Sequence, residues 1–135
     1  LRMTNQLSEA IPDLDFVAKN AKNQMAVQAK FNIAEIYFIQ NNTKESEKQI
    51  RELLQMRPSY DFWTAKALLL QVRNLMVAKD WFQAEHTLNS VINNYTNQTD
   101  GIINEALEIR QELDVLKNAP RSIPEPENRT IEIKD

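Results

Sequence analysis

One pattern occurs twice in this chain at a fixed spacing. The first copy runs through Ile33, Ala34, Tyr37, Asn41-Asn42, Ser46, Ile50, Leu53 and Pro58. The second runs through Ala67, Val72, Leu75, Lys79-Asp80, Ala84, Leu88 and Val91. Ser46 and Ala84 lie 38 positions apart, and so do Ile50 and Leu88. Self-similarity at a period of this length is the signature of stacked helix pairs. Each pair cannot bury its apolar face alone, so neighbours stack and share one elongated core with an extended surface. The expectation is an all-α chain whose work is done on that surface.

The scarcity of helix breakers points the same way. Gly101 is the single glycine, and the prolines stand at positions 12, 58, 120, 124 and 126, leaving 59–119 free of them. Such a stretch favours helix. At 42% apolar residues the chain has material for a packed core. With a net charge of −3 and no basic block, it lacks the electrostatic footprint of a nucleic-acid binder. The cysteine count of zero excludes disulfides, thiolate metal sites and cysteine nucleophiles. No apolar run approaches the roughly 20 residues of a membrane span, so direct membrane insertion is not expected. No signal peptide is visible, and because the chain opens at Leu1 it reads as a piece of a longer precursor.

Periodicity and caps divide the chain into units. Residues 1–23 read as the end of a preceding repeat: a weakly patterned stretch up to Pro12, then a short helix opened by Asp13 or Asp15. A helix pair follows over 24–58, with helices at about 24–40 and 44–56 closed by Pro58. A second pair covers 59–96, with helices at about 62–78, capped by Asp61, and 81–95, opened by the Lys79-Asp80 turn. The helix at 62–78 is apolar over a wide arc, so it should be flanked on two sides. The 81–95 helix is expected to bury Phe82, Ala84, Leu88, Val91, Ile92 and Tyr95. Segment 97–118 reads as a capping helix with Asp100 as cap. One face carries Ile102, Ala106, Ile109, Leu113 and Leu116, and the other is acidic. Residues 119–135, rich in charge and proline, read as a flexible tail whose Thr130-to-Lys134 end alternates like a strand.

The residues of the first copy resemble the tetratricopeptide repeat. In that family a Leu-Ala/Gly-x-x-Tyr helix, a Gly-Asp/Asn turn, a small residue early in the second helix and a closing proline make one unit. Ile33, Ala34, Tyr37, Asn41-Asn42, Ser46, Ile50, Leu53 and Pro58 match it, with Asn41 where glycine is usual and Ser46 where alanine is. The second copy departs further: Gln71, Val72 and Leu75 replace Leu, a small residue and Tyr, and Thr96 replaces the proline. The resemblance implies a right-handed α-solenoid of antiparallel helix pairs with a C-terminal capping helix. It also implies a non-catalytic role: recruiting or scaffolding a protein or peptide partner through the concave groove. The alternative is a structural C-terminal cap of a longer solenoid whose upstream repeats do the binding. The string from Ala29 to Phe38 is also similar to bacterial cell-envelope repeat proteins, which implies a periplasmic or outer-membrane-associated location, with the cytoplasm as the alternative.

In the family the first helix of each pair lines the groove. That places Gln28, Phe31, Asn32, Glu35 and Phe38 on the first unit, and Lys66, Leu69, Leu70, Arg73 and Met76 on the second, in partner-facing strips. Residues three and four apart share a helix face, which makes each set contiguous. Glu35 and Arg73 hold equivalent positions and can pair. The competing reading is that the apolar members of both strips only pack helix on helix. The family's carboxylate clamp is not expected, since Phe31 and Glu35 occupy positions where it needs Lys and Asn. No catalytic, metal or cofactor site is expected. His86 is the one histidine and reads as a surface residue. Glu105 and Glu108 read as solvent-facing charge, and no nucleophile or phosphate-binding motif occurs.

Overall fold

The computed structural model describes residues 2–119, and the tail expected beyond Ala119 lies outside them. Six helices account for the described chain: α1 (Arg2–Asn20), α2 (Gln24–Ile39), α3 (Thr43–Gln55), α4 (Asp61–Val77), α5 (Trp81–Asn94) and α6 (Ile102–Lys117). No strand occurs among the described residues.

The repeat seen in the sequence is a repeat of turn geometry. Asn41 and Lys79 both adopt positive φ, at 64° and 61°, immediately after the C-caps of α2 and α4. At the first turn, the Asn42 N–H donates to the Tyr37 carbonyl at 2.8 Å and the Asn41 N–H to Phe38 at 3.0 Å. At the second, Asp80 donates to Leu75 at 2.9 Å and Lys79 to Met76 at 3.0 Å. This pair of bonds satisfies the last helical carbonyls and needs one left-handed residue, which Asn tolerates better than most non-glycine residues. The next residue of each turn caps the following helix: Asn42 Oδ1 accepts from the Glu45 N–H and Asp80 Oδ1 from the Gln83 N–H, each at 3.2 Å. The chain therefore reverses direction sharply twice, at equivalent places.

The start of the chain departs from expectation. α1 runs through Pro12 without a break instead of beginning at Asp13 or Asp15. A proline removes the bond to the carbonyl four residues earlier, here Ser8. Pro12 and Ser8 are both exposed, so the carbonyl that loses its partner is on the wet side of the helix. The opposite face, with Leu7, Ala10, Leu14 and Val17, is half-buried, and α1 packs on α2. α1 stops where expected, and Asn23 caps α2 by accepting the Met25 N–H at 2.9 Å. Two other cap assignments shift by one residue. α4 starts at Asp61 itself, with Tyr60 at the cap position and no side-chain bond. Gly101, at φ +94°, takes the cap position of α6 that Asp100 was expected to hold. Asp100 still serves that helix, because its Oδ1 accepts from the Ile102 N–H at 3.2 Å.

Packing follows chain order. Each helix touches its sequence neighbours, and beyond these contacts α2, α4 and α6 form a row in which α2 meets α4 and α4 meets α6. Among the described residues α1 touches only α2, so the chain does not close into a ring of helices. This adjacency is compatible with a helical repeat. The wide apolar arc of α4 is used on both sides, as its pattern predicts. Ala67 and Leu70 join Val27, Phe31, Ala34, Ile50 and Leu53 in one cluster. Ala65, Leu69, Val72 and Met76 join Ala84, Leu88, Val91, Ile102, Ala106, Ile109 and Leu113 in another.

Two expected core residues lie outside. Phe82 is 76% exposed. It precedes Ala84 by two residues, and at about 100° per residue that places it on the far side of α5 from the Ala84–Leu88–Val91 stripe. Leu116 is 51% exposed because it sits in the last turn of α6, past the packed stretch that ends at Leu113.

Candidate functional site

The row of α2, α4 and α6 carries a pocket of about 220 Å³. α2 supplies Phe31, Glu35, Phe38 and Ile39, α4 supplies Lys66, Leu70 and Arg73, and α6 supplies Glu105. Six of the ten residues placed in the groove by sequence, Phe31, Glu35, Phe38, Lys66, Leu70 and Arg73, thus meet around one depression. Gln28 is exposed and Asn32 half-buried on α2, and neither lines it.

The apolar residues of the two strips divide sharply. Leu69 is fully buried, while Leu70, Phe31 and Met76 retain 5%, 6% and 8% exposure, so all four are held mainly by packing helix on helix. Leu69 and Met76 point into the α4–α5–α6 cluster. Phe31 belongs to the α2–α3–α4 cluster, with its ring 5.6 Å from that of Trp63, and also lines the pocket. The physical reason is the third helix of the row: α6 and α5 cover the side of α4 that a two-helix groove would leave open. What stays accessible is Phe38, half-buried, and Ile39, 48% exposed at the end of α2.

The polar wall is built by pairing across α4 and α6. The Lys66 ammonium bonds Glu105 at 3.0 Å and lies 5.5 Å from the centre of the Phe31 ring. The Arg73 guanidinium bonds Glu112 at 2.8 Å. Both pairs join residues 39 apart, so the two helices run in one register. The pair expected between Glu35 and Arg73 does not form: Arg73 turns to α6, and Glu35 stays exposed without an ion pair or hydrogen bond among the described residues. Glu105, read from sequence as solvent-facing, is instead a half-buried partner of Lys66. Its signal was available: Lys66 and Arg73 have the same seven-residue spacing as Glu105 and Glu112, with opposite sign.

A second pocket, of about 270 Å³, lies between the start of α4 and the end of α5, lined by Asp61, Thr64, Leu68, Val91, Asn94 and Tyr95 among others. The Tyr95 hydroxyl donates to Asp100 Oδ2. Burial first, then that hydrogen bond, then the charges of Asp100 and Asp61 push the Tyr95 phenol up from 10 to about 12. A group held protonated in this way stabilises the fold below its unfolded pKa, and the contribution is lost as pH rises from 10 through about 12. Ultraviolet titration should therefore show a phenolate phase near pH 12 that Tyr95→Phe removes, and Tyr95→Phe should flatten the loss of stability over that interval. Tyrosine absorbance complete by pH 11 would contradict the assignment.

Both pockets are smaller than the roughly 300–1,000 Å³ of small-molecule and cofactor sites. Among the described residues no cluster of three or more His, Asp or Glu side chains has the arrangement of a metal site, and His86 is exposed. No described helix is long and apolar enough to cross a membrane. Comparison of the chain with family models, with curated proteins and with solved structures gives no match.

Proposed function

We propose that the chain is a non-catalytic protein-interaction module, a right-handed tetratricopeptide-type α-solenoid that recruits a protein or peptide partner along the face formed by α2, α4 and α6. The observation that carries this reading is the depression on that row, with Phe38 and Ile39 accessible beside Leu70 and a charged rim around them. A volume of about 220 Å³ suits one inserted side chain of a partner. Apolar anchors seated in such pockets dominate binding energy, while rim charges set register and partner choice. The repeated turns at Asn41-Asn42 and Lys79-Asp80 support the helix-pair architecture that the resemblance implies.

The test uses peptides selected from a random display library against the immobilised chain. Phe38→Glu should weaken their binding by at least about tenfold, in line with loss of a central anchor, and leave the helical circular dichroism unchanged. Selected peptides indifferent to Phe38→Glu would remove the site.

A second reading, the structural C-terminal cap of a longer solenoid, has its own support. At the 39-residue offset that relates α4 to α6, Ala65, Leu69 and Val72 correspond to Asn104, Glu108 and Gln111. The first three are buried beneath α5 and α6, and the second three are exposed. A polar outward face is what ends a stack in water.

A further inference from the structure

The charges around the α2–α4–α6 pocket are unevenly matched, and this defines the partner's chemistry if the pocket is the binding site proposed above. Lys66 is held by Glu105 and Arg73 by Glu112, so both cations of the wall are already neutralised in place. Glu35 is exposed on the opposite wall and has no such counter-charge. The residues one turn away from it on α2 are Phe31, Asn32, Phe38 and Ile39, none of them basic. Next to this carboxylate lie the accessible edges of Phe38 and Ile39. We infer that the pocket accepts a basic-apolar segment: an apolar side chain seated on Phe38 and Ile39, with a Lys or Arg of the same segment reaching the free Glu35 carboxylate.

The reasoning is electrostatic complementarity at a partly desolvated rim. An arriving cation meets an unpaired carboxylate, whereas an arriving carboxylate must share Lys66 or Arg73 with Glu105 or Glu112 and also faces Glu35. Like-charge juxtaposition of that kind is how interfaces reject wrong partners. A Lys or Arg also fits the steric demand, since its methylene stem can lie along Phe38 and Ile39 while the head stays wet. A helical segment would place the two groups three or four residues apart on one face.

The probe is a random twelve-residue display library selected in parallel on the wild-type chain and on Glu35→Lys, each with Phe38→Glu as the counter-selection surface. Peptides enriched on the wild type should carry an apolar residue with Lys or Arg within four positions. Glu35→Lys should turn that preference to Asp or Glu. A synthetic peptide from the wild-type pool should bind Glu35→Gln about fivefold more weakly at low salt, the size of one partly exposed pair, with the difference shrinking as salt rises. A wild-type consensus that is apolar but without basic excess, or one unchanged on Glu35→Lys, overturns the charge assignment and leaves the groove standing. No enrichment over Phe38→Glu removes the groove and this inference together. A chain that sediments as a dimer, and as a monomer once Phe38→Glu is made, fills the pocket with its own copy and overturns the inference as well.

Discussion

Leu69→Ala is expected to lower the unfolding free energy by about 2–5 kcal/mol and the thermal midpoint by roughly 10 °C. Leu69 has no exposed surface and sits in the cluster that joins α4 to α5 and α6. Removing its three outer carbons forfeits their transfer energy and leaves a void that helices on two sides cannot fully close. Urea unfolding followed by helical circular dichroism gives the quantity directly. The same substitution decides between two readings of α4. A residue lining an open groove would tolerate truncation with a stability change within about 0.5 kcal/mol and would lose partner binding instead. Phe38→Ala is the matching control, because Phe38 is only half-buried and borders the pocket. A stability loss below about 1 kcal/mol for Leu69→Ala would return Leu69 to the partner-facing strip.

Why one leucine was placed on the groove while its position is in the core shows where sequence reasoning stops. The helices themselves were legible because their ends are written locally. Asn23, Asn42 and Asp80 are side chains that cap, and the Asn41 and Lys79 turns each follow a periodic apolar run. Pro12 misled for a definite reason: a proline cancels one bond and strains one turn, but the apolar face of α1 against α2 is long enough to hold the helix through it. Sidedness was harder. α4 is apolar over a wide arc, so its sequence does not reveal which apolar residues face α5, which face α2 and which line the surface. Only the position of α6 settles that Leu69 and Met76 go inward and Lys66 and Arg73 outward. Phe82 departs in the opposite sense: expected in the core of α5, it is turned outward by the 100° step per residue that separates it from the Ala84 stripe. The site was therefore half legible. Phe31, Glu35, Phe38, Lys66, Leu70 and Arg73 follow from the resemblance that puts the first helix of each pair on the groove, whereas Ile39 and Glu105 do not, because one follows a strip by a single residue and the other comes from a helix that reads only as a cap.

One departure from the repeat pattern visible in the sequence, Ser46 in place of alanine, has a partner that only the fold reveals, and it carries the second large effect. Ser46 and Asn74 are both buried, at 0% and 1% exposure. The Asn74 side-chain amide donates to Ser46 Oγ at 3.0 Å, joining α3 to α4, while Asn74 Oδ1 has no partner among the described residues. Ser46→Ala then leaves the whole Asn74 amide buried and unpaired, which should cost about 1–3 kcal/mol. The next seam of the same chain shows an apolar solution to the same problem. At the 38-residue offset Ser46 corresponds to Ala84, and at the 39-residue offset Asn74 corresponds to Leu113. Ala84 and Leu113 are both fully buried in one cluster. The double variant Ser46→Ala with Asn74→Leu transplants that pair, removes the orphaned oxygen and should recover the wild-type stability or exceed it. Replacing both partners of a buried hydrogen bond by apolar groups of fitting shape is commonly neutral or stabilising, whereas removing one is not. Urea midpoints of the wild type, the two single variants and the double variant close a thermodynamic cycle, and the coupling between the sites should exceed about 1 kcal/mol. A double variant as unstable as Ser46→Ala alone would mean that the two seams are not interchangeable, and that the hydrogen bond itself, not the avoidance of an unpaired amide, keeps Ser46 in place.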